Sequence, residues 1–322
     1  MAYYFKKIAS FSTIMNVSFK NLKTSVLLIS LLVLASCEFS FSTGSGGASK
    51  ENDIAKKTTI KKNELDFKEL SISGGSNKEK TTEFIYGEKI EFEFSDLKGL
   101  TEENNLVYPG LQVLVLGKDK DTIVYNEDLY EGKTEGIKNS NVKLSAWMTL
   151  GDPIHSKSQY EILLHIWDKK GEGTIDTSLK VDVIPNNKID VKNSDFSYNE
   201  IYLYSDKRGF ITDNKVVLNE NIHFVFEGLD GFQINNGKVS FGTSMEVRNS
   251  FGIKLLEEDD LFKDVKEADV ADLKEGLSPY IFFDEKDEGS VKLKCRIKVW
   301  DKKSNRSMTV YTNLILIDEI EW

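Results

Sequence analysis

The amino-acid sequence predicts an all-β protein: two tandem, duplicated antiparallel β-sandwiches that follow a signal segment and a flexible tether. Two observations support this prediction. Apolar and polar residues alternate with a period of two in many short segments, which is typical of half-buried strands. A set of motifs also recurs once, in the same order, in the second half of the 322-residue chain. A hydrophobic content of 40% is too high for a disordered chain.

Residues 1–36 have the features of a bacterial secretion signal. Four lysines and no acidic residue accompany an apolar stretch, 26–34, that is too short to span a bilayer. The next residues, Leu34-Ala35-Ser36-Cys37, resemble a lipobox. Membership of the bacterial lipoproteins implies cleavage before Cys37, which would carry a diacylglycerol as the mature N-terminus. The alternatives are an ordinary secreted protein or a short membrane anchor, and translation starts at either Met1 or Met15.

Residues 37–64 are predicted to be a flexible tether, because glycine and serine are frequent just after Cys37. In lipoproteins, a residue other than aspartate after the lipid-bearing cysteine usually implies the outer membrane, and some groups use an acidic run there to reach the cell surface. This chain has only Glu38. The resemblance therefore implies a lipid-anchored outer-membrane protein, with the periplasmic face favoured over the cell surface.

The repeated motifs predict two copies of one domain, at 65–185 and 195–322. Trp167-Asp168-Lys169-Lys170 recurs as Trp300-Asp301-Lys302-Lys303, 133 positions later. The segment around 90–99 recurs around 222–231 at an offset of 132, and Glu69-Leu70 matches Glu200-Ile201 at 131. Such small drift is what loop insertions produce. A period this long indicates duplicated domains rather than a solenoid, and Pro185 begins the join between them.

Each copy reads as a series of about 7–8 strands, as in an antiparallel sandwich. Alternation is clearest over 90–94 and 292–300, and 111–116 has the denser apolar content of a central strand. The segment 255–273 and its counterpart 125–130 are predicted to form a short helix or an ordered loop. The segment 160–171, an alternating strand that ends in Asp-x-x-Gly, resembles bacterial immunoglobulin-like and cadherin-like domains, although Ser304 replaces Gly171 in the second copy. Such domains mostly bind or space rather than catalyse.

Residues suited to catalysis or metal binding are scarce, so the chain is predicted not to be an enzyme. His155, His165 and His223 are expected at the surface, with no nucleophile or metal-ligand spacing around them. Acidic groups occur at 257–260 and 284–288, and cadherin-like domains bind calcium at the join. Here, however, the join carries Lys188 and Lys192 beside Asp190 and Asp195, and lysine also interrupts the 284–288 group. We therefore expect solvated charge, no metal and no cofactor. Cys295 is predicted to be a buried free thiol. A net charge of −10 argues against nucleic acid as a partner.

Four aromatic residues are the best candidates for a contact site: Trp147, Tyr280, Trp167 and Trp300. By strand parity they point away from the core, where such rings bind proteins or stack on sugars. Trp167 and Trp300 occupy one repeated position, which favours a structural corner, whereas Trp147 suits packing and contact equally. The expected function is that of a membrane-anchored, non-enzymatic accessory or scaffolding module for an envelope protein partner. The alternative is glycan binding through Trp147, with hydrolysis a third hypothesis.

Overall fold

The computed structural model describes residues 11–13, 17–18, 21–28, 54–74, 82–192, 195–283 and 292–317. The chain divides into two compact units, one of residues 34–184 and one of residues 185–322 together with 1–33. We call the described residues 54–184 domain 1 and the described residues 185–317 domain 2. The regular secondary structure of both is almost entirely β-strand.

Domain 1 contains a 3₁₀ turn at Ala55–Lys57 and eleven strands. The strands are β4 (Thr59–Asn63), β5 (Glu69–Gly74), β6 (Glu83–Ile85), β7 (Lys89–Ser95), β8 (Leu106–Val107), β9 (Pro109–Leu116), β10 (Thr122–Asn126), β11 (Ile137–Lys138), β12 (Leu144–Thr149), β13 (Ser158–Asp168) and β14 (Thr174–Ile184). One sheet has the order β12-β7-β5. The other has the order β10-β9-β13-β14-β4, with β6 parallel to β14.

Domain 2 contains twelve strands and one short helix. They are β15 (Ile189–Lys192), β16 (Glu200–Ser205), β17 (Gly209–Ile211), β18 (Lys215–Val216), β19 (Asn221–Glu227), β20 (Lys238–Val239), β21 (Phe241–Asn249), β22 (Lys254–Glu258), β23 (Ala268–Asp269), α1 (Val270–Glu275), β24 (Ser278–Phe282), β25 (Lys292–Asp301) and β26 (Ser307–Leu316). One sheet contains β24-β19-β16-β17. The other has the order β22-β21-β25-β26-β15, with β18 parallel to β26.

The two domains therefore have the same strand order in both sheets. Each has an immunoglobulin-like sandwich topology, in which a short strand joins the second sheet in parallel with the last long strand. Domain 2 adds only β17 and α1 to this plan. The predicted all-β sandwich fold is confirmed. The equal strand order agrees with a duplication of one domain, which stays a prediction.

The core of each sandwich comes from the alternation that is visible in the sequence. In β25 every second residue is buried, from Leu293 through Cys295 to Val299, with exposed lysines or Arg296 between them. In domain 1, Phe92 and Ala146 from one sheet line the same interior space as Val113 and Ile162 from the other. The apolar faces of the two sheets thus meet, and removing them from water is the main favourable contribution to folding.

Three strands come before domain 1: β1 (Phe11–Thr13), β2 (Val17–Ser18) and β3 (Asn21–Leu28). Strand β3 pairs antiparallel with β24, so that Ser278 lies opposite Leu27 and Phe282 opposite Lys23. These strands fall within residues 1–36, the segment that the lipobox resemblance predicts to be removed. No helix among the described residues is both long and apolar enough to cross a membrane.

Three sequence expectations differ from the structure in detail. Strand β4 lies inside the segment predicted as tether, where it pairs with the outer edge of β14. Strand β15 occupies the same place on β26, within the predicted join between the copies. The segment 255–273 is mostly strand and turn, with helix only from Val270. Both edge strands are short: β4 has one half-buried residue among exposed ones, and β15 alternates over only four residues.

Candidate functional site

Each domain contains two of the four candidate aromatic residues, one on each sheet of its sandwich. Trp147 and Tyr280 occupy matching positions on β12 and β24, and Trp167 and Trp300 occupy matching positions on β13 and β25. All four side chains are half-buried between buried neighbours. Because the two positions belong to different sheets, these residues form two pairs of equivalent places and not one site.

Trp167 and Trp300 cover a glycine on the neighbouring strand. Trp167 lies opposite Gly110 and Trp300 opposite Gly242. A Cβ atom built on either glycine would come within 2.2 Å of the indole ring. Each ring therefore lies directly on the backbone of the next strand. This arrangement explains the repeat of both residues and supports the structural corner expected of this position.

The rest of the repeated Trp-Asp-Lys-Lys motif also stabilises loops. Asp168 accepts hydrogen bonds from the backbone N–H of Thr101 (2.6 Å) and Lys170 (3.0 Å). Asp301 accepts equivalent bonds from Gln233 (2.8 Å) and Lys303 (2.8 Å). Burial alone would raise the pKa of the Asp301 carboxyl. These bonds and one from Ser304 outweigh that effect, so the pKa lies below its ordinary value.

The first lysine of the motif binds an aspartate turn in each domain. Lys169 Nζ lies 2.5 Å from Asp128 Oδ2, and Lys302 Nζ lies 2.7 Å from Asp260 Oδ2. Each ammonium also donates to a carbonyl of the same turn, that of Tyr130 or Phe262. The strongest repeated motif in the sequence is thus explained by loop anchoring, without a ligand.

A second pair of matched surfaces differs in chemistry between the domains. We define the outer face of each domain as the core-distant side of the sheet that contains β12 or β24. In domain 1 it carries polar residues around Trp147, and in domain 2 it is mainly apolar and aromatic. The domain 1 residues are Ser71, Ser73, Glu91, Glu93 and Trp147, and their domain 2 counterparts in strand register are Tyr202, Tyr204, His223, Val225 and Tyr280.

The outer face of domain 1 is half-exposed and charged. Trp147 lies opposite Glu91, and the Lys89 ammonium is 4.1 Å from the centre of the indole ring. Lys143 Nζ lies 2.6 Å from Glu93 Oε2. A face of this composition is stable in contact with water.

The outer face of domain 2 forms a connected aromatic cluster. Phe210 of β17 packs against Tyr202 and Tyr204, with ring centres 4.9 and 5.7 Å apart. His223 packs against Tyr280 at 5.0 Å. The Tyr202 hydroxyl donates to Glu227 Oε1 at 2.6 Å, which leaves the ring itself for apolar contact.

The expectation that His223 lies at the surface was wrong. It is almost fully buried, as are Tyr202 and Val225 of the same face. Its Nδ1 lies 3.1 Å from Ser278 Oγ. Burial lowers the pKa of His223 to about 4, which keeps the ring neutral at physiological pH. Strand parity gave the correct side of the sheet but could not show that this side is covered.

The other two histidines lie in exposed or half-exposed places. His165 Nδ1 is 2.7 Å from Asp176 Oδ1, and its ring stacks on Trp167 at 5.5 Å. His155 is exposed in the turn before β13. His165 and Asp176 form a surface pair at the side of the structural Trp167 corner.

Metal-ligand geometry is absent from the described part of the chain, where no group of three acidic, histidine or cysteine side chains converges. The acidic stretch 257–260 is divided between partners, since Glu257 pairs with Lys254 and Asp260 with Lys302. The stretch 284–288 lies outside the described residues. Asp190 and Asp195 in the join are likewise paired, with Lys192 and with the backbone of Ser307.

Of the two cysteines, only Cys295 belongs to the described residues. Cys295 is buried in the domain 2 core, where burial raises the pKa of its thiol, and it is free as predicted. Cys37 lies outside the described residues, so its lipidation stays a prediction.

No family model and no curated protein matches this sequence. Among solved structures, the chain is similar to the C-terminal domain of the AgI/II polypeptide BspA from Streptococcus agalactiae. The two are 8% identical, with 76% of this chain and 99% of that chain covered at a TM-score of 0.23. A DUF3823 family protein from Bacteroides ovatus is 11% identical, with coverages of 69% and 95% and a TM-score of 0.17. Similarity this low carries no conclusion about function.

Proposed function

We propose that this chain is an outer-membrane lipoprotein, anchored through Cys37, that acts as a non-enzymatic accessory or scaffolding module for an envelope protein. The periplasmic side is favoured. The lipobox Leu34-Ala35-Ser36-Cys37 supports the anchor. The strongest repeated polar motif holds loops in both domains, which gives it a structural role in place of a catalytic one. The proposed contact surface is the outer face of domain 2.

The observation that carries this proposal is the contrast between the two outer faces. At the same positions of the same fold, domain 1 has serine and glutamate whereas domain 2 has tyrosine, histidine and valine. A sheet face does not need apolar residues on its solvent side to fold, since domain 1 lacks most of them. An exposed apolar face that the fold does not require is a typical protein contact surface. Tyr202, His223 and Val225 are almost fully buried in the full-length chain, so we propose this role for the mature chain, in which removal of residues 1–36 exposes the face.

The mature chain would leave this surface open at one edge. Strand β3 occupies the edge of β24 in the structure, but it belongs to the segment predicted to be cleaved. After cleavage, β24 becomes the edge of its sheet and Tyr280 borders the vacated place. An extended segment of a partner could then pair with β24, as in β-strand addition.

The backbone of β24 is suited to such pairing. Leu277 exchanges two hydrogen bonds with Phe226 of β19, at 2.9 and 3.0 Å. Backbone groups alternate in direction along a strand, so those of Ser278, Tyr280 and Phe282 point to the open edge. Pro279 faces β19, which means that its missing N–H removes no donor from that edge. The strand also carries no charge that would repel a partner strand.

A lipid anchor makes modest affinity sufficient for such a partner. Holding the domains at the membrane raises their effective concentration near other membrane proteins, so a small interface can still be occupied. This is the physical reason for combining a tethered lipid with a binding module.

Site-specific crosslinking in intact cells tests the proposal. A photo-reactive residue at position 280 should give a discrete adduct with one envelope protein, recovered from membranes in mild detergent. The matched control places the same residue at position 147, the equivalent half-buried place in domain 1, where we expect no such adduct. Equal adducts from both positions, or none from 280, would refute the proposed surface.

Glycan binding through Trp147 is the second candidate. Its indole is half-buried, and Glu91 and Lys89 provide polar groups beside the ring, as sugar-binding sites require. Polysaccharide addition should then change the tryptophan fluorescence of the native protein but not that of Trp147→Phe. A change that persists in the variant would exclude this site.

A further inference from the structure

The hairpin between β21 and β22 carries two strongly exposed apolar side chains. Phe251 is 76% exposed and Ile253 is 60% exposed, the two highest values among the large exposed apolar residues of the described chain. Both lie in the turn that joins Asn249 to Lys254. We call residues 250–253 the apolar tip.

The apolar tip is rigidly held by its own hydrogen bonds. The Asn249 side-chain oxygen accepts from the backbone N–H of both Phe251 and Ile253, each at 3.0 Å. The Arg248 guanidinium donates to the carbonyl of Gly252 at 3.0 Å. Gly252 has a φ of +81°, a conformation that glycine adopts without strain. The two apolar side chains are therefore presented to solvent by an ordered turn.

Domain 1 has the same turn with the opposite chemistry. Its N–H groups at positions 117 and 120 bond to the carbonyls of 121 and 117, as those at 249 and 252 bond to 253 and 249. This register places Asp119 at the position of Phe251 and Asp121 at the position of Ile253. The turn therefore folds with aspartates at both places, so its geometry does not require the apolar side chains of domain 2.

Basic residues border the apolar tip. Arg248 and Lys254 flank it in the sequence, and Lys294 lies opposite Arg248 on the neighbouring strand β25, which begins at Lys292. The carboxylates of β21 and β22 nearest the tip are Glu246 and Glu257, and both are paired with these or adjacent cations, with Glu258 one residue farther away. The acidic stretch 284–288, which precedes β25 in the sequence, lies outside the described residues. A convex apolar tip with a basic border matches the interface of an anionic bilayer.

From this arrangement we infer that the apolar tip inserts Phe251 and Ile253 into the interface of an anionic lipid bilayer. Two side chains on a hairpin are far smaller than a stable protein interface, whereas a fluid bilayer needs no complementary pocket. The contact adds a second membrane attachment to the lipid anchor and limits the orientations of domain 2. This goes beyond the proposed partner binding and does not depend on it.

Vesicle binding of the mature chain with Cys37→Ser tests the inference without the lipid. We would measure co-sedimentation with vesicles of phosphatidylethanolamine and phosphatidylglycerol. The double variant Phe251→Asp with Ile253→Asp copies the turn of domain 1 and should bind at least tenfold more weakly. Ile234→Ser, which changes another exposed apolar residue, is the matched control and should bind like the parent. Unchanged thermal unfolding would establish that each variant is folded.

A reciprocal variant and a depth probe complete the test. Placing Asp119→Phe and Asp121→Ile in the double variant should restore part of the binding, because domain 1 has the same turn with Lys118 and Lys120 in it. Recovery should be incomplete, since Glu161 holds the place that Lys294 has in domain 2. A tryptophan in Phe251→Trp should be quenched by brominated lipids. Equal sedimentation of parent and double variant, absence of quenching, or tip-dependent binding only to membranes that contain protein would overturn the inference. None of these results depends on crosslinking at position 280, so the two proposals fail separately.

Discussion

Domain 1 and domain 2 share one scaffold and differ in what that scaffold presents. Their sheets have the same strand order, and both use a tryptophan on a glycine and an aspartate–lysine pair to hold the same loops. Their outer faces and their hairpin tips differ, with charged and small polar residues in domain 1 and aromatic or aliphatic ones in domain 2. The shared contacts are those that hold the common fold, and the unshared ones are the basis of the proposed function.

The comparison also distinguishes two reasons why an aromatic side chain lies half-buried on the outside of a sheet. Trp167 and Trp300 are half-buried in both domains because each covers a neighbouring glycine backbone. Tyr280 is half-buried within an aromatic face that has no equivalent in domain 1. Only a residue of the second kind suggests a partner, since the fold already explains the first kind.

The largest effect should come from removing the buried aspartate of the repeated motif. Asp168→Ala and Asp301→Ala each remove a buried carboxylate and leave two part-buried backbone donors without their acceptor, at a cost of about 2–4 kcal/mol in the free energy of unfolding of the affected domain. Calorimetry of the mature chain would measure both losses, with the exposed Asp119→Ala as control. A small loss in one domain and a large loss in the other would contradict a shared scaffold.

The Asp301 contribution should also depend on pH. Its folded pKa lies below the ordinary value, so its stabilisation is complete above about pH 4 and is lost as the pH falls through the folded pKa. The difference in unfolding free energy between the native protein and Asp301→Asn should therefore narrow below about pH 4. A difference that stays constant down to the acid-unfolded state would argue against an ionised Asp301.

The next effect concerns the outer face of domain 2. Strand β3 pairs with the strand that carries Ser278 and Tyr280, the two neighbours of His223. In a chain that begins at Cys37, we expect the pKa of His223 to rise from about 4 towards the ordinary value of about 6.5. Histidine titration by NMR would measure this change, with His165 as the internal control. A value that stays near 4 in the mature chain would mean that this face remains closed.

A smaller loss is expected when the glycine under each tryptophan gains a methyl group. Gly110→Ala and Gly242→Ala would force the indole away from the backbone, at a cost of about 1–3 kcal/mol in unfolding free energy. Gly132→Ala, which has open space around it, should change stability little. Chemical denaturation would compare the three. Similar values for Gly110→Ala and Gly132→Ala would mean that the Trp167 corner is not tightly packed.

The smallest effect should follow from replacing the repeated lysine. Lys169→Met and Lys302→Met remove a partly buried ion pair but leave the backbone bonds of Asp128 and Asp260 in place, so we expect about 1 kcal/mol in each domain. Lys303→Met serves as the exposed control. A loss in one domain alone would limit the lysine anchor to that domain.

The sequence predicted the strands well where a core lies on one side only. Period-two alternation identified β7 and β25 because every second side chain is buried. It failed for His223, since alternation reports which side a residue faces and not whether that side is covered. It also missed β4, whose pairing depends on the distant strand β14.

The candidate surface was only partly predictable for a related reason. Trp147 and Tyr280 were identified from parity, but Tyr202, Val225 and Phe251 were not. Comparing equivalent positions of the two copies would have found them. Serine, glutamate and aspartate in the first copy are replaced by tyrosine, valine and phenylalanine in the second. The exact pairing needs the strand registers, which motif offsets of 131–133 give only approximately.

Hydrogen–deuterium exchange most directly tests the proposal that domain 2 provides the contact surface. The measurement compares the protein in native membrane vesicles with the purified mature chain. We predict membrane-dependent protection at residues 200–205, 221–227 and 278–282, and none at the matched strands 69–74, 89–95 and 144–149. Equal protection of the two sets, or protection of the domain 1 strands alone, would contradict the assignment of binding to domain 2.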